Sequence, residues 1–217
     1  MTSHPERNDQ VTTLQAGPWT LDQRYDRPVY EAMERWLADP VVTHAMGRTP
    51  AAMTRRDFDA IVRIHDGQTG WLFFARSVVD DAPHAYVSIM VEPDSGVARL
   101  DIVVGDRRAR PRRLLNHVTR ALMPWMFDVI GVRKVCVYAR ADNRVTAAWL
   151  KPRMKLEGVH RGEMVMPDGT GVDLLYFGLL PDEWRDAVAA SESSLAAEWE
   201  RPVRDDVPNR ARDVRRT

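Results

Sequence analysis

The sequence predicts an α/β (α+β) domain, a sheet covered by helices on both sides. Three observations predict it. Amphipathic stripes at spacings of three, four and seven mark two helices before residue 66 and one long helix after residue 110. Between them lie three apolar runs of strand length, parted by turn-forming residues. The chain then returns to strand, short helix and a closing hairpin, a mixed order that argues for a sheet flanked by helices.

Each element has its own signal. Residues 1–10 are polar and read as a flexible leader, and residues 11–14 as a first short strand. A helix opens near Pro28 with Val29, Met33, Trp36 and Leu37 on one face. Asp39-Pro40 ends it, because the residue before a proline avoids helical geometry. Thr54 caps a second helix that runs to His65, with Phe58, Ile61, Val62 and His65 inward, and Asp66-Gly67 stops it. Residues 71–77, 84–91 and 97–104 are strands, and the turn ending at Gly96 makes the last two an antiparallel hairpin. The long helix, 111–130, carries Leu114, Val118, Leu122, Trp125 and Val129 on one face, with Gly131 as its cap. Pro124 removes a backbone donor inside it and predicts a kink. Residues 133–139 form a strand and 145–150 a short helix limited by Pro152. Strands 160–166 and 172–180 pair about Asp168-Gly169, and a last helix starts near Asp182. The domain is expected over 11–185, a C-terminal helix over 186–200, and a charged, flexible tail over 201–217.

Composition narrows the function classes. Lys plus Arg and Asp plus Glu number 31 each, so the formal net charge is zero, which argues against a nucleic-acid partner. The single cysteine, Cys136, allows no intramolecular disulfide and no cysteine zinc cage; in its apolar run it reads as a small core residue. No signal peptide and no membrane-length apolar run is present, so a cytoplasmic protein is expected. No H-E-x-x-H spacing and no serine elbow occurs, so no metal is expected.

The segment Val103-Val104-Gly105-Asp106, its arginine-rich loop, the long helix and the strand 133–139 resemble the core motif of the GNAT N-acetyltransferase superfamily. Downstream, Ala141-Asp142-Asn143, Glu157-Gly158, Asp168-Gly169, Val172-Asp173 and the run 179–184 (LLPDEW) are similar to the branch that acetylates ribosomal-protein N-termini. The resemblance covers residues 12–185. It implies the GNAT fold, a mixed, mostly antiparallel twisted sheet flanked by helices, and transfer of acetyl from acetyl-CoA to a primary amine. In that family two inner strands splay and the acetyl-CoA arm lies between them. The resemblance thus implies cofactor contacts at Ile102, Val103, Val104 and Asn143, with the pyrophosphate on the loop and the following helix start.

The loop departs from the family pattern. Ala109 and Pro111 stand where glycines are usual; Ala109 adds a methyl and Pro111 has no N–H. Arg107, Arg108, Arg110, Arg112 and Arg113 supply charged forks for phosphate instead. Arg99 stands where the branch often has Glu, and Asp101, two residues on and on the same strand face, is the candidate base. Trp149 stands where a tyrosine acid is usual, and indole cannot serve as that acid. Tyr138 and Tyr176 are then the candidate acids, Tyr138 first. His117 is a polar residue among apolar neighbours and reads as structural. The N-terminal helices are expected to line the acceptor side with Trp36, His44, Met46, Arg48 and Phe58. A GNAT-fold protein without catalysis, and one using another acyl donor, remain open readings. So do a homodimer and a protein partner for the C-terminal tail.

Overall fold

A computed structural model describes residues 12–106, 109 and 111–194. These residues form an eight-stranded sheet in the order β1-β2-β3-β4-β5-β6-β8-β7. The strands are β1 (Leu14–Ala16), β2 (Trp19–Asp22), β3 (Gly70–Ser77), β4 (Pro83–Glu92), β5 (Val97–Val104), β6 (Lys134–Arg140), β7 (Lys155–Val165) and β8 (Gly171–Leu179). Every neighbouring pair is antiparallel except β5 and β6.

The helices are α1 (Arg27–Ala38), α2 (Pro40–Ala45), α3 (Arg55–Ile64), α4 (Pro111–Pro124), α5 (Arg144–Leu150) and α6 (Pro181–Ser194). One sheet face takes α1 to α3. Val29, Met33 and Trp36 of α1 and Phe58 of α3 pack there on Leu72 and Phe74 of β3. Burying each such side chain contributes about 1.5–3 kcal/mol. Thr54 and Asp57 cap α3 reciprocally, each side chain bonding the other's backbone N–H. His65 is pinned between the Ile61 carbonyl (2.7 Å) and the Ser88 hydroxyl (2.8 Å), tying the end of α3 to β4.

The opposite face takes α4. Phe73 and Trp71 meet the edge of Trp125 at centroid distances of 5.3 and 5.5 Å. Pro124 lacks the N–H that the helical ladder needs, and the chain continues as one π-helical segment, Trp125–Ile130, before Gly131 ends it at φ 76°. The expected kink is thus a change of helix type. Val129 does not share the inner face as expected: it is 70% exposed, because the π turn rotates it outward.

Three other expectations need correction. Residues 14–22 form a hairpin, not one strand over 11–14, with Gly17 at φ 63° in the turn. Pro40 does not merely end α1: Asp39 accepts from Val41 N–H at 2.8 Å and opens α2 with Pro40 as its first residue. Strand β7 starts at Lys155, five residues before the expected 160. Helix α6 starts at Pro181, and its expected extension beyond 194, like the leader and the tail, lies outside the described residues.

Candidate active site

Strand β5 pairs with β4 along its whole length, Val97 to Val104. It pairs with β6 over three residues only, Val97, Ala98 and Arg99 against Lys134, Val135 and Cys136. Beyond that point β6 stays with β8, through Arg140 opposite Leu174. The two parallel strands therefore part after Arg99. Residues 100–104 of β5 and 137–140 of β6 turn inner edges toward each other without a shared ladder. Backbone groups on such an edge call for an outside partner. Ile102, Val103 and Val104 lie on the β5 edge and are half-buried.

Both strands run from the opening into helices. After β5, Gly105 and Asp106 donate their N–H groups to the His84 carbonyl, each at 3.0 Å. Gly105 lies flat against Trp36: a Cβ there would sit 2.0 Å from the indole. Ala109 is 5% exposed and its N–H donates to the Asp106 carbonyl at 3.1 Å, so that donor faces into the loop itself. Pro111 begins α4. Arg107, Arg108 and Arg110 lie outside the described residues, as does the side chain of Arg112. Arg113 is exposed in the first turn of α4. After β6, Asn143 caps α5 by accepting from Thr146 N–H at 3.2 Å. Trp149 of α5 donates to Asn116 of α4 at 2.7 Å, and Arg153 stacks on the indole at 4.9 Å. The two helices that follow the parting strands are thereby joined.

On the α1–α3 face, odd positions of β5 meet even positions of β6. Arg99 donates from Nε to the Tyr138 hydroxyl at 2.9 Å and stacks 5.0 Å above its ring. Continuing the register past Arg99 and Cys136 sets Asp101 opposite Tyr138 across the opening. The Tyr138 ring meets Tyr176 at 4.3 Å, and Tyr176 stacks on His160 at 3.9 Å. Arg99, two residues before Asp101, turns to Tyr138 rather than to the carboxylate. Asp101 makes no hydrogen bond to a described residue. Its carboxylate reaches solvent, yet the surrounding walls strip part of its hydration and push its pKa up. The positive charges of Arg99 and Arg48 pull the other way.

Tyr86, which the sequence reading passed over, stands beside Asp101 on the neighbouring strand. Burial pushes its phenol up to about 12, so it stays neutral; its hydroxyl lies 4.0 Å from Met46 Sδ. The alternation of β4 was the available signal, because it sets Tyr86 and Ser88 on the face opposite Ala85 and Val87. Arg48 follows Met46 and Gly47, and Gly47 (φ 70°) lies under Met164 of β7. Arg140, 5% exposed, bonds the His44 carbonyl and Asp142, fixing α2 over the end of β6. Trp36 and Phe58 do not stand open on an acceptor wall as expected: they are 5% and 0% exposed and form part of the core packed on this face.

Other titratable groups have structural partners. His84 accepts from Trp19 Nε1 at 3.0 Å. His117 packs against Trp19 (5.7 Å) and Gly17, and burial lowers its pKa. Burial raises the pKa of Cys136, which keeps the thiol protonated. A cleft of about 300 Å³ lies between Arg35, Trp36 and Asp39 of α1 and Asp106, and neither Asp101 nor Tyr138 lines it. Among the described residues no group of three or more His, Cys, Asp or Glu is arranged to hold a metal. None of their helices is long and apolar enough to cross a membrane.

No protein-family model and no curated protein matches the sequence. Solved structures do match the fold. A GCN5-related N-acetyltransferase from Brucella melitensis superposes with a TM-score of 0.66 at 21% identity, over 89% of this chain and 88% of that one. A GNAT-family acetyltransferase from Bacillus anthracis gives 0.65 at 12% identity, over 79% and 99%. A spermidine N-acetyltransferase from Vibrio cholerae, in complex with CoA and spermine, gives 0.65 at 12% identity, over 77% and 98%. The chain has the GNAT acetyltransferase fold, a mixed and mostly antiparallel sheet flanked by helices.

Proposed function

We propose that the protein is an N-acetyltransferase that moves the acetyl group of acetyl-CoA to a primary amine. The observation that carries this reading is the parting of β5 from β6 after Arg99, with Asp101 and Tyr138 on the two sides of the opening. The neighbours of like fold are acetyltransferases, one of them with CoA bound.

In this reading the free edge of β5 at Ile102, Val103 and Val104 pairs with the amide-bearing arm of CoA. The free N–H groups of the first turn of α4, with the arginines 107, 108, 110, 112 and 113, take the phosphates. Ala109 lends its methyl to the packing of the loop and no donor. Asn143 fixes the start of α5 beside the arm. Asp101 takes a proton from the ammonium form of the acceptor, and the freed nitrogen attacks the thioester carbonyl carbon. As the carbon–sulfur bond breaks, Tyr138 gives its proton to the thiolate, and the second proton lost by the nitrogen restores the phenol. Its oxygen already accepts from Arg99, which leaves the O–H for donation. The products are an amide, CoA thiol and one proton passed to water.

A second reading, a scaffold without catalysis, draws on Ala109 and Pro111 and on the Trp149–Asn116 bond that joins α4 to α5. One experiment separates the two: amine-dependent release of CoA thiol from acetyl-CoA, across peptides, amino acids, amino sugars and polyamines. The acetyltransferase reading expects turnover that an Asp101→Asn variant lowers. Binding of CoA with no turnover on any amine would favour the scaffold.

A further inference from the structure

The acceptor face carries more positive charge than its one central carboxylate answers. Arg99 uses Nε on Tyr138, and its two terminal nitrogens have no hydrogen-bond partner among the described residues. Arg48 makes no side-chain hydrogen bond and no ion pair with a described residue. Nearby charges are matched instead: Arg140 with Asp142 and Lys134 with Glu157. Both guanidinium groups act on Asp101, Arg99 from two residues back on the same strand and Arg48 from the turn above Tyr86.

An amine reaches this face as an ammonium ion. Asp101 attracts it, but the two guanidinium groups repel a molecule whose charges are all positive. They favour one that brings an anion, and a guanidinium fork matches a carboxylate in shape as well as charge. Positions 99 and 101 are about 7 Å apart along the strand. An acid group a few bonds from the nitrogen can therefore meet Arg99 while the nitrogen stays at Asp101.

We propose that the acceptor is an amine that carries its own carboxylate, with the ammonium at Asp101 and the carboxylate held by the free nitrogens of Arg99 and by Arg48. This rests on the acetyl-transfer reading and narrows it. The same chemistry has two sources: the α-carboxylate of a free amino acid, or an acidic first side chain of a peptide.

The test uses the full chain with saturating acetyl-CoA and reads release of CoA thiol. Two matched pairs separate the sources: alanine against alaninamide, and Asp-Ala-Ala amide against Asn-Ala-Ala amide. Spermidine is the polycation control. The acid member of one pair is expected to exceed its neutral partner at least about tenfold in kcat/KM, the scale of a charge-assisted hydrogen bond. In Arg48→Met and Arg99→Met that ratio falls toward one, mainly through KM, and Arg99→Lys restores part of it. Equal or better use of the neutral members or of spermidine would overturn the proposal, as would a ratio unchanged in both variants. If no amine is turned over, the acetyl-transfer reading fails by itself. Equilibrium dialysis of the same pairs in the presence of CoA then decides the acceptor proposal: tighter binding of the acid member upholds it, and equal or absent binding ends it.

Discussion

The 2.9 Å bond from Arg99 Nε to the Tyr138 hydroxyl joins β5 to β6 where the two strands begin to part. It holds the phenol of one strand against the cation of the other and leaves the O–H free to donate. Tyr138→Phe should therefore lower kcat about a hundredfold while changing the KM for acetyl-CoA little. The ring keeps its contact with Tyr176, so the variant should fold. Steady-state kinetics with a thiol readout checks this; an unchanged kcat removes Tyr138 from the mechanism.

Asp101 predicts a pH dependence of definite sign. Lost hydration raises its carboxyl, against the pull of Arg99 and Arg48, and the base works only when deprotonated. The kcat/KM should rise with pH through a limb shifted upward from the ordinary aspartate value, and Asp101→Asn should abolish that limb. Stability should move the other way. The folded state holds this proton more tightly than the unfolded chain, so the ionised group costs stability as pH rises through the folded pKa. Asp101→Asn should raise the Tm at neutral pH and leave it unchanged at about pH 3, below the unfolded carboxylate value. Thermal melts at the two pH values test this directly.

Gly105 gives a steric prediction. A Cβ at this position would sit 2.0 Å from the Trp36 ring, which is itself held in the core. Gly105→Ala should cost about 1–3 kcal/mol through overpacking and weaken acetyl-CoA binding by displacing the loop before α4. A Trp36→Phe change in the same chain should recover part of both losses. Denaturant melts and a binding titration on the single and double variants measure the coupling.

A buried ion network predicts acid sensitivity. Arg76, 1% exposed, bonds Asp81 through Nε (3.0 Å) and Nη2 (2.9 Å) and reaches Asp26 at the start of α1. Arg76→Met should cost about 1.5–3 kcal/mol, the scale of hydrogen bonds to charged groups, and lower the Tm by about 3–12 °C. Hydrogen bonds from Arg76 and then Arg24 hold the Asp81 carboxyl well below the usual carboxylate range. Its contribution is present above the unfolded pKa and is lost as pH falls toward the folded one. Asp81 is 56% exposed, so solvent screens the pair and the slope is shallow. The variant should show a flatter acid limb in its melting curve.

Much of the fold was legible because local signals agreed with packing. Val97–Val104 is bounded by its turn and alternates by face, and Thr54 and Asp57 announce α3 by their caps. Elements too short to show a period were not legible. The strands of the β1–β2 hairpin are three and four residues long. Helix α2 is six residues long, and its Pro40 reads equally as a stop and as a first turn. The parting of β5 and β6 has no periodic signature, since each strand is regular in itself; only the family resemblance anticipated it. The Arg99–Tyr138 bond was hidden for another reason. It spans 39 residues, and only the register of β5 on β6 brings its ends together. The buried roles of Trp36 and Phe58 were visible in their helical stripes, and expecting them in the acceptor wall set that signal aside.

In the proposed mechanism the opening between β5 and β6, with the loop before α4, holds acetyl-CoA. Isothermal titration of the whole protein with acetyl-CoA and with CoA, at low and moderate salt, tests it most directly. Micromolar binding is expected, weakening with salt and in an Arg108→Ala, Arg112→Ala double variant. No heat and no thermal shift at millimolar acetyl-CoA would contradict it.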